Sequence, residues 1–474
     1  MELHLYDTRA RQKRKFLPLE EGKVGMYHCG PTVYQRPHIG NYRAFLFADL
    51  LRRVFEVLGY EVKQIMNLTD VGHLLADAEE GEDKLEAQAR KDNVDPWQIV
   101  EQVSELFFAD LSALGIQLAH AYPRATEYID EMVEMIEVLV EKGHAYKVGS
   151  NVYFDVHSFD KYGELSGNNI AELEAGARLE INDEKRHPAD FALWKTDAKH
   201  LMKWDTVFGE NGFPGWHIEC SAMSRQFLGD HFDIHTGGED NVFPHHECEI
   251  AQSECAHGGK FVNYWMHTKF LQVDGGKMSK SLANVYSLDD LGDRGFCALD
   301  FRFLMMRGHY RSSLNFTFEG LQGAAEARKN LCSFIKRLQS VAGDTSSTAI
   351  EFEPLNTARQ DFIAALCDDL NTSAAIAAVF TLRSEFMKGD FTADQAAATL
   401  DFMLNTVQKV FGDLDYIQCT DDEISDSDVD DLIAQRTQAR ADKEWAKADE
   451  VRDQLTAAGI VVEDTADGIK WHRA

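Results

Sequence analysis

Two short strings carry side chains suited to phosphate chemistry: His38-Ile39-Gly40-Asn41 and, far downstream, Lys277-Met278-Ser279-Lys280-Ser281. The first follows an apolar, strand-like run from Val24 to Cys29 and opens an amphipathic stretch from Tyr42 to Leu58. A strand, a loop holding Gly and His, and then a helix bring main-chain N–H groups and the positive end of a helix to one point, a site for polyphosphate. The second string places two lysines three residues apart behind Gly275-Gly276, in a loop where they can follow charge developing on a leaving pyrophosphate. Its glycine spacing and ending are not those of a Walker A loop. Metal donors form a third group. His245 and Glu249 stand four apart and project from one helix face, with His246, Cys248 and Cys255 close by and Cys29 and Cys220 elsewhere. Thiolate, imidazole and carboxylate donors suit Zn²⁺, but spacing alone does not choose among them. Together the strings describe an enzyme that activates an acid with ATP.

Those residues need a frame. Glu61 to Asn67 reads as a second strand after the Tyr42–Leu58 helix, which Gly59 closes, and the βαβ unit begins a parallel nucleotide-binding sheet. Helical stretches follow at about 95–114 and 127–142, then short strand-like pieces at 152–156 and 191–194 among polar turns. The sheet resumes near Gly215 and ends at the lysine string. Beyond Phe318 the stretches 321–340, 357–370, 373–388 and 392–411 have helical apolar spacing, which predicts a bundle. The acidic run 420–431 reads as a solvated linker. The last forty or so residues predict two helices and a hairpin around Asp464–Gly468, with Arg436, Arg440, Lys443, Lys447 and Arg452 spaced to share a helix face.

The chain has 474 residues, 44% hydrophobic and 27% charged, enough for two to four domains of an ordinary soluble protein. No signal-peptide h-region follows the basic residues Arg9 to Lys15, and no run of about twenty apolar residues predicts a membrane span. Eight cysteines without a CxxC pair argue against a disulfide framework and for a reducing cytoplasm. The net charge of −31 speaks mildly against a nucleic-acid partner.

The two strings resemble the hallmark motifs of class I aminoacyl-tRNA synthetases, and their surroundings narrow the resemblance to the cysteinyl-tRNA synthetase family. Cys29-Gly-Pro-Thr-Val-Tyr34, Gly215-Trp-His-Ile-Glu-Cys-Ser-Ala-Met223, Phe243-Pro-His-His-Glu-Cys-Glu-Ile-Ala-Gln-Ser253 and Asn263-Tyr-Trp-Met-His267 carry it, in order, and it extends to Trp471. It implies an α/β fold: a Rossmann-like parallel-sheet catalytic domain (1–146 and 214–318) with an insertion (147–213). A helical bundle (319–419), the acidic linker and a small α+β anticodon-binding module (432–474) follow.

For the site, the resemblance implies that His38, Gly40, Asn41, Asp240 and Lys280 bind ATP, and that His38, Asn41, Lys277 and Lys280 stabilise charge in the transition state. The family usually has His where Asn41 stands; Asn still donates a hydrogen bond but carries no charge. Zn²⁺ falls to Cys29, Cys220, His245 and Glu249, and the cysteine pocket to Thr69, Trp216 and His235. Thr69 would hold the amino or the carboxylate end. Val71-Gly-His-Leu74 replaces the family's acidic continuation beside it. The implied partners are tRNA, L-cysteine and ATP with Mg²⁺. A metal would tell sulfur from oxygen: about 10⁴-fold selectivity requires roughly 5.5 kcal/mol, which a metal–thiolate bond can supply without an editing domain. A related ligase that transfers cysteine to an amino sugar is the alternative, and a catalytically silent relative is a more distant one.

Overall fold

The computed structural model describes residues 1–72, 84–92, 94–169, 184–278, 284–345, 350, 352–389 and 391–414, and, near the C-terminus, 432–433, 436–437, 439, 447, 451–452, 455, 460–465 and 468–473. The chain divides into two compact units, Met1–Leu414 and Asp415–Ala474.

A four-stranded parallel sheet organises the larger unit, in the order Val262–Thr268, Phe232–Gly238, Lys23–His28, Glu61–Met66. The first of these strands in the chain, Lys23–His28, therefore lies inside the sheet, with later strands added on both sides. Phe232–Gly238 is buried at every position but its last, as a strand paired on both edges and covered on both faces must be. The crossover helix runs Ile39–Val57. It starts three residues earlier than the apolar spacing predicts, because His38 caps it and draws the Gly40-Asn41 pair into its first turn.

Over the stretch expected as an insertion, and one or two residues beyond each end of it, lies a five-stranded antiparallel sheet, ordered Ala145–Val148, Asn151–Phe154, Phe191–Thr196, Gly209–Pro214, Trp204–Thr206. Phe154 and Phe191 stack across it at 4.9 Å. A smaller sheet positions the lysine string. Leu271–Val273 pairs antiparallel with Gly276–Lys277 and parallel with Leu314–Phe316. Asp274 (φ 49°) and Gly275 (φ 77°) make the turn between the first two, and the positive φ at both is the reason for Gly at the second. The N-terminus, which the sequence presents only as a basic stretch, is a hairpin, His4–Asp7 with Gln12–Lys15. Its Thr8 N–H donates to the Trp265 carbonyl at 2.8 Å, which docks it on the edge strand of the parallel sheet.

Helices Phe318–Ala342, Glu353–Cys367, Thr372–Lys388 and Ala393–Phe402 form the helical part, the last continuing to Phe411. Buried arginines fasten it to the nucleotide fold. Arg302 donates to Asp49 (2.6 Å), in the middle of the crossover helix, and to the Phe411 carbonyl (2.6 Å). Arg53 holds the same Asp49 oxygen at 2.8 Å and also reaches the Lys409 carbonyl. A buried carboxylate with two guanidinium partners is satisfied rather than stranded.

In the smaller unit Ile460–Thr465 and Gly468–Arg473 pair as an antiparallel hairpin, and Val451, Leu455 and Ile460 form its core with Leu432, Ile433 and Trp471 against them. Arg436, Lys447 and Arg452 sit on helical backbone, whereas Arg440, Lys443 and the acidic run 420–431 lie outside the described residues. Among the described residues no helix is long and apolar enough to cross a membrane, and the seven described cysteines are free thiols.

Candidate active site

A cavity of about 610 Å³ opens at the carboxyl edge of the parallel sheet. Cys29 ends the strand Lys23–His28, Thr69 follows the next strand on one side, and Gly238 ends the neighbour on the other. Strand order reverses between Lys23–His28 and Phe232–Gly238, and open α/β sheets bind their ligands at such a point. His38, Gly40, Asn41, Thr69, Trp216, Asp240 and Met278 all line this one cavity, together with Cys29.

At one end the helix Ile39–Val57 presents its N-terminus. The His38 Nδ1 accepts from the Gly40 N–H at 3.1 Å, and the Asn41 Oδ1 accepts from the His38 N–H at 3.0 Å. Asn41 thus closes the cap with its carbonyl, leaving the amide nitrogen as its donating group. Gly40 is needed for close approach: a Cβ there would lie 2.9 Å from the His38 ring and 3.2 Å from Met278 Cε. The two strings, so distant in sequence, therefore meet. Ile39 N–H also donates to the Tyr286 carbonyl just beyond the lysine loop, at 2.9 Å. The backbone of Lys277 is in its short strand. Lys280 and residues 279–283 lie outside the described residues, as do His73 and Leu74.

At the other end Cys29, the one metal-donor candidate of the four that lines the cavity, converges with Cys220, His245 and Glu249 behind it, donor atoms all within 4.8 Å of one another. Cys220 comes from the helix Trp216–Leu228, and Glu249 from Glu247–His257. The expected one-turn spacing delivers His245 Nε2 to Glu249 Oε1 at 3.1 Å, and Cys29 Sγ lies 3.9 Å from the same oxygen. A tetrahedral Zn²⁺ with bonds of about 2.0–2.3 Å spaces its ligands about 3.3–3.8 Å apart, so the donor set fits the ion with small adjustment. His235 and His246 form a second group with Cys29 and Glu249 within the same distance, but it has one sulfur rather than two.

Protonation follows from this crowding. Burial opposes charge on Glu249, yet His235 and His245 outweigh it and hold the carboxyl down at about 2. Burial likewise opposes a charged His245, and Cys220 and Glu249 overcome it, raising the imidazole well above its ordinary value. Of the two thiols, Cys220 is lowered, first by its hydrogen bond with Cys29, while burial and that same neighbour raise Cys29. His246 is driven well down by burial and the surrounding histidines, and His267 falls to about 3 for the same reason.

Around the donors lies a further layer, in which the sequence reading named Trp216, His235 and His246 but not His217 or the link through His267 to Thr8. His217 Nδ1 meets His245 Nδ1 at 2.9 Å, turning the other nitrogen of His245 toward the cluster. His246 Nε2 lies 3.1 Å from Cys29 Sγ. Its Nδ1 lies 2.7 Å from His267 Nε2, and His267 in turn meets Thr8 in the N-terminal hairpin at 2.8 Å. Trp216 covers His245, ring centroids 4.9 Å apart. His235, expected in the cysteine pocket, is fully buried and does not line the cavity. It stacks on Trp265 and holds Glu249 Oε2 at 2.9 Å from behind. The signal for His217 was present in the Trp-His pair, but only folding shows which ring it braces.

Residues 15–326 match the tRNA synthetases class I (C) catalytic domain, residues 361–415 the DALR domain, and residues 425–471 the cysteinyl-tRNA ligase anticodon binding domain. The chain is 40% identical to a cysteine–tRNA ligase of Treponema denticola, over 100% of both chains. It belongs to the cysteinyl-tRNA synthetase family. A second member of that family, the cysteine–tRNA ligase of Deinococcus radiodurans, is 41% identical over 99% of this chain and 96% of its own. Mycobacterium tuberculosis methionyl-tRNA synthetase in complex with methionyl-adenylate shares the fold, with a TM-score of 0.61 and 15% identity over 82% of this chain and 90% of that one. The amino-sugar alternative finds no support, since these cysteinyl-tRNA synthetases match from end to end and the anticodon-binding domain is included. A net charge of −31 speaks mildly against a polyanionic partner, yet residues 425–471 match an anticodon binding domain. Overall charge does not report a local binding surface.

Proposed function

We propose that the protein is a cysteine–tRNA ligase that works through the residues gathered in this cavity. ATP and L-cysteine give cysteinyl-adenylate and pyrophosphate. The terminal ribose of tRNA then takes the cysteinyl group and AMP is released. The observation that carries this reading is one cavity joining a helix N-terminus with its capping His38 to a buried thiol-rich cluster.

In the first step a carboxylate oxygen of cysteine attacks the α-phosphorus, and the bond to the bridging oxygen breaks with its electron pair leaving on pyrophosphate. His38 and the Asn41 amide donate toward the α-phosphate, where charge grows most. The N-terminal N–H groups of helix Ile39–Val57 add to this field. Lys277 and Lys280 hold the departing phosphates, whose Mg²⁺ arrives with ATP, and Asp240 faces the nucleotide. Cys29, Cys220, His245 and Glu249 would hold a Zn²⁺ ion, which when bound would take sulfur as thiolate and bind a serine hydroxyl weakly. The chain's own part is aim: His217 and His235 fix the outward atoms of His245 and Glu249, and Trp216 keeps water off His245. The domain limits expected from the sequence complete the reading, with residues 432–474 addressing the anticodon. Free thiols throughout the described residues suit the cytoplasm.

Pyrophosphate exchange and tRNA charging test this together. Exchange depends on cysteine and not serine, and removal of 432–474 abolishes charging while sparing exchange. Exchange without cysteine dependence overturns the reading.

A further inference from the structure

The lysine string reaches the cavity from a small sheet that behaves as one piece. The Lys269 N–H donates to the Tyr310 carbonyl at 2.9 Å and the Asp274 N–H to the Phe316 carbonyl at 3.1 Å. At the turn, the Gly275 N–H donates to Asn315 Oδ1 at 2.7 Å. Two side chains fasten that piece to the walls of the cavity. Arg43, two residues beyond Asn41 in the helix Ile39–Val57, is buried. Its guanidinium donates to the Phe270 carbonyl at 2.7 Å, to the His309 carbonyl at 3.4 Å and to the Ser312 carbonyl. Those carbonyls stand shortly before the strands Leu271–Val273 and Leu314–Phe316. Glu239, which follows the strand Phe232–Gly238, accepts from the Phe270 N–H at 2.7 Å and from Lys269 Nζ. Phe270 is thus gripped through both of its main-chain groups, the carbonyl from the helix and the N–H from the end of the strand.

The chemistry of this grip is specific. A buried guanidinium whose acceptors are neutral carbonyls is costly to desolvate. Burial lowers Arg43 to about 10, with the charge of Glu239 acting the other way. Only a planar fork of five donors reaches three carbonyls on two segments at once. We propose that Arg43 and Glu239 are positioning residues that fix the base of the lysine hairpin against the helix N-terminus and the end of the strand Phe232–Gly238, and so set where the lysines meet the phosphates of ATP. The inference rests on the cysteine-ligase reading above. Neither side chain lines the cavity; each acts through Phe270 and the hairpin. Because pyrophosphate leaves in the first step, their effect belongs to adenylate formation and not to transfer.

Rapid-mixing kinetics on the full-length, zinc-replete protein separate the two steps: adenylate formation from ATP and cysteine, and transfer of cysteine from isolated enzyme-bound adenylate to tRNA. Arg43→Lys keeps the charge and loses the fork, and is expected to slow adenylate formation about 10²-fold, the scale of a misplacement of about 1 Å. Glu239→Ala is expected to slow it about tenfold, the scale of a hydrogen bond to a charged group. In both variants transfer and equilibrium binding of cysteine are expected to change less than about twofold. Lys277→Ala is expected to slow adenylate formation less in the Arg43→Lys background than alone, because a lysine already misplaced has less to lose. Wild-type adenylate formation in either variant, equal slowing of both steps, or strictly multiplicative effects of Arg43→Lys and Lys277→Ala overturns the proposal. Should Arg43→Lys fail to fold, Glu239→Ala, at a half-buried position, decides by the same comparison of the two steps and the same pairing with Lys277→Ala. A wild-type protein that forms no adenylate from cysteine defeats the cysteine-ligase reading itself, a result distinct from the others.

Discussion

The thiol end and the phosphate end of the cavity are built on opposite principles. Cys220, His245 and Glu249 are buried, and each is braced by a partner from another element, among them His217, His235 and Cys29. His38 is half-buried and Asn41 exposed, and the helix cap they share is made within one turn. Opposite them stands a two-stranded hairpin that touches Gly40 through Met278. Selection between sulfur and oxygen needs donors that do not yield to the wrong substrate. Phosphoryl chemistry needs groups that follow a charge as it moves. On the function proposed above, the difference teaches that rigidity would lie where sulfur is told from oxygen, and that the reacting phosphates would meet local, exposed geometry.

Substitutions at the two ends are therefore expected to have crossed effects. Cys220→Ser removes a metal donor and is expected to lower kcat/KM for cysteine by about 10³-fold while KM for ATP changes less than about twofold, since ligand loss exceeds the 10–100-fold typical of outer partners. Metal analysis with pyrophosphate exchange checks it, and equal damage to ATP and cysteine use would break the comparison. Lys280→Ala is expected to slow adenylate formation about 10²-fold, the scale of one lost charge-stabilising donor, with cysteine affinity and metal content intact. A normal exchange rate would remove Lys280 from the phosphate end.

A smaller effect sharpens the contrast in stability. Burial, with Glu219 adding to it, pushes the Asp70 carboxyl up to about 6 despite hydrogen bonds from Thr126. A carboxyl with a folded pKa above its unfolded value binds its proton more tightly in the native state. Its stabilising contribution is therefore complete below about pH 4 and is lost as pH rises through about 6, by at most about 3 kcal/mol. Asp70→Asn is expected to remove that decline. Urea unfolding of both proteins between pH 4 and pH 7 checks it, and parallel pH profiles would contradict it.

Much of this was legible because the phosphate end is local. The turn, cap and helix around His38 lie within a few residues, whereas the lysine string, read as a loop, begins in a short strand, Gly276–Lys277, paired with Leu271–Val273. The thiol end was legible only through resemblance, since its donors come from three separate segments and spacing left His246, Cys248 and Cys255 as equal candidates. His235 was placed in the cysteine pocket by resemblance alone, and only the fold shows that it stacks on Trp265 and pairs with Glu249. The link from His246 through His267 to Thr8 joins residues more than two hundred positions apart, and no periodicity encodes it. The same is true of Arg302, whose burial between Asp49 and the Phe411 carbonyl is a property of packing alone.

The central claim is that a cation held by Cys29, Cys220, His245 and Glu249 makes the choice of sulfur over oxygen. Its most direct test is the ratio of kcat/KM for cysteine to that for serine in pyrophosphate exchange, measured on one preparation before and after chelation, with metal counted in both. The account predicts one transition-metal ion per chain and a ratio of about 10⁴ or more that collapses on chelation and returns with Zn²⁺. An undiminished ratio in metal-free protein would contradict it.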